Sequence, residues 1–165
     1  MKKNNLKHAE YATKSVQELI PAEALNKALV KQFDYSPSCV AINKGNGQFI
    51  VEKLPPMIQL SSVNAIHCMD INKDGKIDIV SGGNQFDFIP QLERLDASMG
   101  DVLINNGVGT LPAGQPGFIW VEPARTGLDL SGQVRDIEEV HINQKNYLLF
   151  LQNDEYPVLY EVKDK

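Results

Sequence analysis

Residues 70–79 concentrate oxygen-bearing side chains at a regular spacing: Asp-Ile-Asn-Lys-Asp-Gly-Lys-Ile-Asp-Ile. Side-chain oxygens fall at positions 1, 3, 5 and 9 of this stretch, and glycine occupies position 6. Ca²⁺ is bound by about six to eight oxygen ligands, and Gly75 permits the sharp bend that would gather them, because glycine tolerates positive φ. The spacing therefore predicts a calcium loop. Its predicted ligands are the side chains of Asp70, Asn72, Asp74 and Asp78 and the main-chain carbonyl of Lys76.

Other interpretations of this loop fit the sequence less well. An EF-hand has a bidentate Glu at position 12, where this chain has Ser81. The flanking runs, residues 63–69 and 77–80, are short, apolar and bounded by turn residues, which is typical of strands. A cellulosome-type dockerin needs two calcium loops on helices. A metal-free hairpin turn remains open, but clustered carboxylates repel one another, and a cation relieves that repulsion.

Composition limits the class of protein. The chain has 165 residues, 42% of them hydrophobic, with a net charge of −5. This length supports one domain with a real core, and the negative charge predicts no nucleic-acid partner. The apolar runs are too short for a transmembrane segment. The basic N-terminus lacks the apolar region of a secretory signal, which predicts either cytoplasmic residence or a fragment of a longer exported chain.

The first part of the chain has a helical pattern. Residues 9–29 predict helix, interrupted at Pro21, which suits the first turn of a second short helix over residues 22–29. Four apolar positions near the helical period are expected to make core contacts: Tyr11, Val16, Leu19 and Ile20. The predicted organisation is a helical N-terminal segment at residues 1–30 followed by a β region at residues 31–165.

The β region contains an internal repeat. An apolar strand followed by Ile-Asn and x-Gly-x-Gly occurs at residues 39–47 and again at 101–109, and residues 60–66 align with 130–137. The predicted units are repeat 1 at about residues 35–84, a connection at 84–100, and repeat 2 at about 100–162. The second copy has a plain turn at 141–146 in place of the acidic loop.

Repeated four-strand units with glycine turns are typical of propeller blades. The predicted fold is mainly β, with about two four-stranded antiparallel β-propeller-type blades, that is a partial propeller, and a short helical N-terminal segment. A β-sandwich of about eight strands remains an alternative. Cys39 and Cys68 match no zinc or redox motif, and their apolar surroundings predict buried free thiols.

The loop and its flanks resemble a known family. Residues 70–78, preceded by Ser-Val-Asn-Ala-Ile and followed by Ile-Val-Ser-Gly-Gly-Asn, resemble the FG-GAP/VCBS repeat. Residues 11–19, 88–98, 100–109 and 132–137 are similar to the C-terminal part of bacterial VCBS-repeat proteins related to the ASPIC/UnbV group. The resemblance implies integrin-α-like blades that bind Ca²⁺ through the five residues named above. It also implies export to the cell envelope or surface and a role in binding or adhesion.

No catalytic residue is predicted, and the chain is not expected to be an enzyme. His8, His67 and His141 belong to no metal-protease motif, and no nucleophile motif occurs. The paired glycines at 45/47 and 82/83 are interpreted as turn residues. Within the connections, Arg94 with Glu93 and Asp96 is interpreted as a structural brace. Trp120, with Phe118 and Arg125 nearby, is expected to pack in the core rather than to stack a sugar or peptide.

The predicted function is a non-enzymatic calcium-binding repeat module of a bacterial cell-envelope or surface protein, used for binding, adhesion or scaffolding. Its partner would be a protein, a glycan or the remaining blades of a parent propeller. The alternative is an accessory or catalytic propeller domain of a polysaccharide-processing enzyme. That alternative requires a cleft in which His, Tyr and Arg side chains or paired carboxylates converge.

Overall fold

A computed structural model describes residues 7–89, 93–107 and 116–163 of the chain. The chain divides into two compact units, residues 1–36 and 37–165. The first contains short helices, and the second contains all the strands of the described residues. None of the helices in these ranges is long and apolar enough to cross a membrane.

Three short helices form the first unit: His8–Ala12 (α1), Val16–Leu19 (α2) and Ala22–Asn26 (α3). The predicted continuous run before Pro21 is interrupted because Ser15 starts a new helix. Its backbone N–H donates to the Glu18 carboxylate at 2.7 Å, and its hydroxyl donates at 2.9 Å. These bonds, the backbone one first, lower the pKa of Glu18.

The prediction that the apolar stripe of the first unit is buried was wrong. Tyr11 is 43% exposed and Val16 57% exposed, and none of the described residues of α1, α2 or α3 is buried. A helix of four or five residues makes little more than one turn, so it cannot present a continuous apolar face. Residues spaced for one long helix therefore lie on separate short ones.

The second unit is built from antiparallel strands. Its described strands are Cys39–Gly45 (β1), Gln48–Lys53 (β2), Val63–Met69 (β3), Asp78–Gly83 (β4), Asp101–Asn105 (β5), Phe118–Val121 (β6), Gln133–Ile142 (β7), Lys145–Asn153 (β8) and Val158–Val162 (β9). They form three sheets in chain order: β1-β2, β3-β4-β5-β6 and β7-β8-β9. A 3₁₀ turn, Pro56–Gln59, precedes β3, and a short helix, Pro123–Thr126 (α4), follows β6. The prediction of a mainly β, antiparallel fold is confirmed.

The strands are grouped differently from the two predicted four-strand repeats. In the described residues the sheets have two, four and three strands, and none of them closes on itself. The four-stranded sheet crosses the predicted boundary between the repeats, because β4 pairs with β5, with Ile79 opposite Leu103. Every residue of β4 is buried, so this strand needs a hydrogen-bonding neighbour at both of its edges.

The four-stranded sheet is covered on both faces. On one face, Val80 and Val102 pack with Ile137 and Phe150 of the β7-β8-β9 sheet in one apolar cluster. The opposite face forms a second cluster, whose buried members are Leu54, Ile58, Ile79, Leu103 and Phe118. Each face of the central sheet therefore contributes to a core, and β3 to β6 lie between two covering layers.

The interpretation of the four paired glycines as turn residues was right for one pair and wrong for the other. Gly47, with φ +73°, lies in the β1–β2 turn, and Gly45, with φ +85°, lies at the bulge that ends β1. Gly82 and Gly83 lie inside β4. A Cβ on Gly82 would lie 2.7 Å from the side chain of Val134, and one on Gly83 would collide with the backbone of Ser62. These two glycines allow neighbouring segments to pack closely against β4.

The prediction that the cysteines are buried was also wrong. Cys39 and Cys68 are free and exposed. Alternate residues of a strand face opposite sides, and on β3 the inward positions include Ala65, which is buried. Cys68 shares the outward face with Ile66, which is 61% exposed. An apolar neighbourhood in sequence did not indicate which face each cysteine occupies.

Candidate metal-binding loop

Residues 70–77 join β3 to β4, whose adjoining ends pair at Met69 and Asp78. Two residues of this connection have positive φ, Lys73 at 61° and Gly75 at 85°. The second is the position at which the sequence predicts a sharp bend. The left-handed conformations turn the backbone N–H groups toward the side chains that precede them, as in Asx turns.

The first two predicted ligands converge on the same backbone group. The N–H of Asp74 donates to Oδ1 of Asp70 and to Oδ1 of Asn72, at 3.0 Å each. The N–H of Gly75 donates to the other carboxylate oxygen of Asp70 at 2.8 Å. Since a carbonyl or carboxylate oxygen has more than one lone pair, these oxygens retain capacity to face a cation.

Asp74 is held by a lysine two residues later. Its Oδ1 accepts the backbone N–H of Lys76 at 2.9 Å, and its Oδ2 accepts the Lys76 ammonium group at 2.9 Å. The amide of Asn72 donates to the same Oδ2 at 3.2 Å. These bonds, led by the one from the ammonium group, keep the pKa of Asp74 below its ordinary value. The ammonium group therefore occupies a position at which a bound cation would compete with it.

Asp78 differs from the other acidic residues because it is fully buried. Its Oδ2 accepts the N–H of Ile71 at 3.0 Å, and its Oδ1 accepts the N–H of Asn105 at 2.8 Å. The side chain of Asn105 in turn donates to the carbonyl of Ile77 at 3.0 Å. Asp78 thus fastens the beginning of the loop to the end of β5.

The donor chemistry of the loop fits Ca²⁺. Carboxylate, amide and carbonyl oxygens are hard ligands, which suit Ca²⁺ and Mg²⁺ better than transition metals. Within the described ranges, no three His, Cys, Asp or Glu side chains surround one point as a metal centre does. The predicted set also uses an amide and a main-chain carbonyl. The assignment of Ca²⁺ to these five residues stays a prediction.

Two of the other predicted arrangements are confirmed. Arg94 donates from Nε to Asp96 at 2.9 Å, and its guanidinium lies 4.6 Å from the ring centre of Phe86, so it braces its connection. Trp120 packs against the second apolar cluster, and its Nε1–H donates to Asp101 at 2.8 Å. The glycine pattern at 105–109 and the Pro/Gly-rich connection at 111–118 fall partly outside the described residues.

Sequence reasoning missed the role of Asn84. This residue is fully buried with φ +75°. Its Oδ1 accepts bonds from the hydroxyl of Ser61 and the N–H of Ser98, at 2.8 and 3.0 Å. Its Nδ2 donates to the carbonyls of Ser98, Ser131 and Gly132 at 2.8, 3.2 and 3.2 Å. The asparagine type and its place after two glycines were the only signals in the sequence.

Comparison with known proteins adds no family to these observations. No protein-family model matches the chain, and neither curated proteins nor solved structures contain a match. The similarity to FG-GAP/VCBS repeats therefore stays a prediction from the residues that carry it.

Proposed function

We propose that residues 37–163 are a calcium-binding β-blade module of the FG-GAP/VCBS type, with a binding, adhesion or scaffolding role rather than a catalytic one. The observation that carries the proposal is the convergence of Asp70 and Asn72 oxygens on the N–H of Asp74. The bound Ca²⁺ would add positive charge among carboxylates that otherwise repel one another. Its ligands would be the five residues predicted from the sequence.

The sheet that carries the loop supports the same proposal. Strands β3 to β6 are antiparallel, adjacent and in chain order, the arrangement of a four-stranded propeller blade. The loop joins the first two of these strands, and a second sheet in chain order, β7 to β9, packs on one face. We infer that the two sheets correspond to one complete and one incomplete blade.

Exposed apolar residues support a partner for this module. Three consecutive residues of β2, Phe49, Ile50 and Val51, are 57%, 46% and 55% exposed. Since consecutive strand residues face opposite sides, both faces of the β1–β2 hairpin carry apolar surface. We propose that further blades of a parent propeller or a protein partner cover this hairpin. A cell-envelope location and a glycan partner are proposals that rest on the family resemblance alone.

The proposal is tested by calcium titration of the full chain. Calorimetry on the wild type should give one Ca²⁺ per chain, and the thermal midpoint in Ca²⁺ should exceed that in EDTA. A ligand present at about 100 times its Kd stabilises the folded state by about 2.7 kcal/mol. Asp74→Ala should abolish both effects, because it removes a ligand without touching the buried Asp78.

Asp87→Ala is the matched control, since Asp87 is an exposed aspartate outside the loop. This variant should bind Ca²⁺ like the wild type. Absence of both binding and stabilisation in the wild type at millimolar Ca²⁺ would reduce the loop to a metal-free turn and contradict the proposal. Equal calcium binding by Asp74→Ala and the wild type would place the ion elsewhere.

A further inference from the structure

A second cluster of metal-ligand residue types lies where β3 and β7 meet. Nε2 of His67 on β3 is 3.9 Å from Oε2 of Glu139 on β7, and Nε2 of His141 is 4.0 Å from Oε1 of the same carboxylate. The carboxylate thus has one imidazole nitrogen opposite each of its oxygens. The side chains of His67, Glu139 and His141 are 21%, 30% and 67% exposed, so the cluster is partly shielded and open to solvent at His141.

The strand pattern explains why these three side chains meet. Glu139 and His141 follow the buried Ile137 at two-residue steps, so they share its side of β7. His67 lies opposite Val80 in the register of β3 and β4, and Val80 belongs to the core between the sheets. The cluster therefore stands at the rim of that core, with one residue from one sheet and two from the other.

The two N···O distances are too long for hydrogen bonds, which have about 2.7–3.2 Å between heavy atoms. They lie between the separations that two ligand atoms have at a tetrahedral angle and at opposite sides of a metal ion. Bonds of about 2.0–2.1 Å to His nitrogen and about 2.0–2.2 Å to carboxylate oxygen place the ligand atoms about 3.4 Å apart at a tetrahedral angle. Opposed ligands would be about 4.1 Å apart. The three groups do not surround one point, so binding of one ion requires their side chains to rearrange around it.

A neighbouring amide orients one of the imidazoles. Nδ1 of His141 lies 2.8 Å from Oδ1 of Asn146. An amide oxygen accepts hydrogen bonds, so this contact suits a proton on Nδ1 and leaves Nε2, which faces Glu139, as the nitrogen that could bind a metal ion. Metal-ligating histidines commonly have this kind of second hydrogen bond, which fixes the ring and its tautomer.

We propose that His67, Glu139 and His141 bind a divalent transition-metal ion of the Zn²⁺ type. Two imidazoles and one carboxylate are a donor set that suits Zn²⁺, whereas Ca²⁺ prefers a cage of oxygens alone. The ion would join β3 of one sheet to β7 of the other. This site is independent of the calcium loop, and the inference does not rest on the proposed function.

Zinc titration in saturating Ca²⁺ tests the proposal, with calorimetry and thermal melts on the full chain. The wild type should bind one Zn²⁺ at micromolar concentrations and melt higher with it. Glu139→Gln and His67→Gln should each lose this binding. Asn146→Ala, which removes only the orienting amide, should weaken Zn²⁺ binding about 10-fold or more, and His141→Gln should have a larger effect than Asn146→Ala.

Three controls separate this site from other zinc-binding groups. Glu138→Gln alters the adjacent carboxylate on the opposite side of β7 and should bind Zn²⁺ normally. Cys39→Ser with Cys68→Ser should also bind normally, and so should Asp74→Ala in the calcium loop. Absence of zinc binding by the wild type would overturn the proposal. Wild-type affinity in both Glu139→Gln and His67→Gln would overturn it as well.

Discussion

The β3–β4 and β7–β8 hairpins are alike in their strands and different in their turns. Each pair is antiparallel, and each has a register shift near the start of its first strand, at Val63/Ala65 and at Val134/Asp136. β7 and β8 are joined by residues 143–144 alone, both with positive φ, 49° and 65°. β3 and β4 are joined by residues 70–77.

The difference in turn length shows how many residues a hairpin needs to reverse the chain. Two residues with positive φ reverse an antiparallel pair, as in a type I′ turn. The additional residues of the longer connection are therefore not required for chain reversal. They include Asp70, Asn72 and Asp74, whose oxygens gather around backbone N–H groups of the loop. The prediction of a plain turn at 141–146 is confirmed, and the contrast favours a ligand-related role for residues 70–77.

Among the variants that test the difference between the two hairpins, Asp78→Ala should have the largest effect on the free energy of unfolding. The change removes the acceptor from the N–H groups of Ile71 and Asn105 at a fully buried position. A buried donor left without a partner costs about 1–3 kcal/mol, so we expect the free energy of unfolding to fall by about 3 kcal/mol. Urea denaturation in EDTA measures this effect without a contribution from metal binding.

Asp87→Ala serves as the control for this loss, because an exposed aspartate outside the network should change stability by no more than about 0.5 kcal/mol. A loss below about 1 kcal/mol in Asp78→Ala would show that the buried carboxylate does not hold the loop to β5. The long β3–β4 connection and the short β7–β8 turn would then contribute similarly to the free energy of unfolding.

A loop replacement tests the comparison directly. Replacing residues 70–77 with Asn-Gly gives β3–β4 a two-residue turn like that of β7–β8. The shorter closure should gain about 1 kcal/mol, and loss of the bond from Ile71 to Asp78 should cost about 1 kcal/mol. The replacement also removes Ile71, which packs against the first apolar cluster. We therefore expect lower stability than the wild type in EDTA, measured by urea denaturation, and no stabilisation by Ca²⁺.

The matched control replaces residues 143–144 with Asn-Gly, which preserves a two-residue turn and should leave the calcium response intact. If the shortened β3–β4 variant fails to fold, the long connection is part of the fold. If it folds and still binds one Ca²⁺, the ion does not occupy the loop. Either result would contradict the inference that residues 70–77 are not required for chain reversal and instead have a ligand-related role.

The smallest effect is expected from Lys76→Gln, which keeps the main-chain carbonyl and removes the ammonium group from Asp74. Exposed ion pairs are weak because water and salt screen them, so Ca²⁺ affinity should rise by no more than about 5-fold at low salt. Lys53→Gln, at an exposed position of β2, should have no such effect. Unchanged or weaker Ca²⁺ affinity in Lys76→Gln would show that the ammonium group does not compete with the ion.

The lowered pKa of Asp74 determines how the stabilising interaction between Asp74 and Lys76 changes with pH. The pKa of Asp74 is lowered in the folded chain, so its favourable interactions are present above its unfolded pKa and are lost as pH falls through the folded value. An NMR titration in EDTA should place its midpoint below the ordinary value of 3.8. Lys76→Gln should raise that midpoint.

Periodicity and turn chemistry predicted the parts of the fold that depend on local sequence. The β1–β2 hairpin and its glycine turn, strand β5 and the two-residue turn at 143–144 were all predictable from apolar runs bounded by turn residues. The sharp bend of the acidic loop at Gly75 was predictable because the glycine and the oxygen-bearing side chains around it are neighbours in sequence. Each of these features is determined by residues within about ten positions of one another.

Features that depend on distant residues were not predictable. The pairing of β4 with β5 joins strands on opposite sides of a long connection, and a repeat pattern does not specify which copy supplies the neighbour. The close approach at Gly82 depends on Val134. Likewise, His67 meets Glu139 only because two sheets pack together. Nothing in the local sequence of β3 identifies its partner on β7.

The position of Asn84 has a consequence for folding kinetics. The two larger sheets are meanders of successive strands, and pairings between neighbours in sequence form rapidly. The bonds from Asn84 to Ser131 and Gly132 span 47 and 48 residues, so we expect them to form later in folding than the bond to Ser98, which spans 14. Interactions that form after the transition state slow unfolding rather than speed folding. We therefore expect the buried amide of Asn84 to slow unfolding more than it speeds folding.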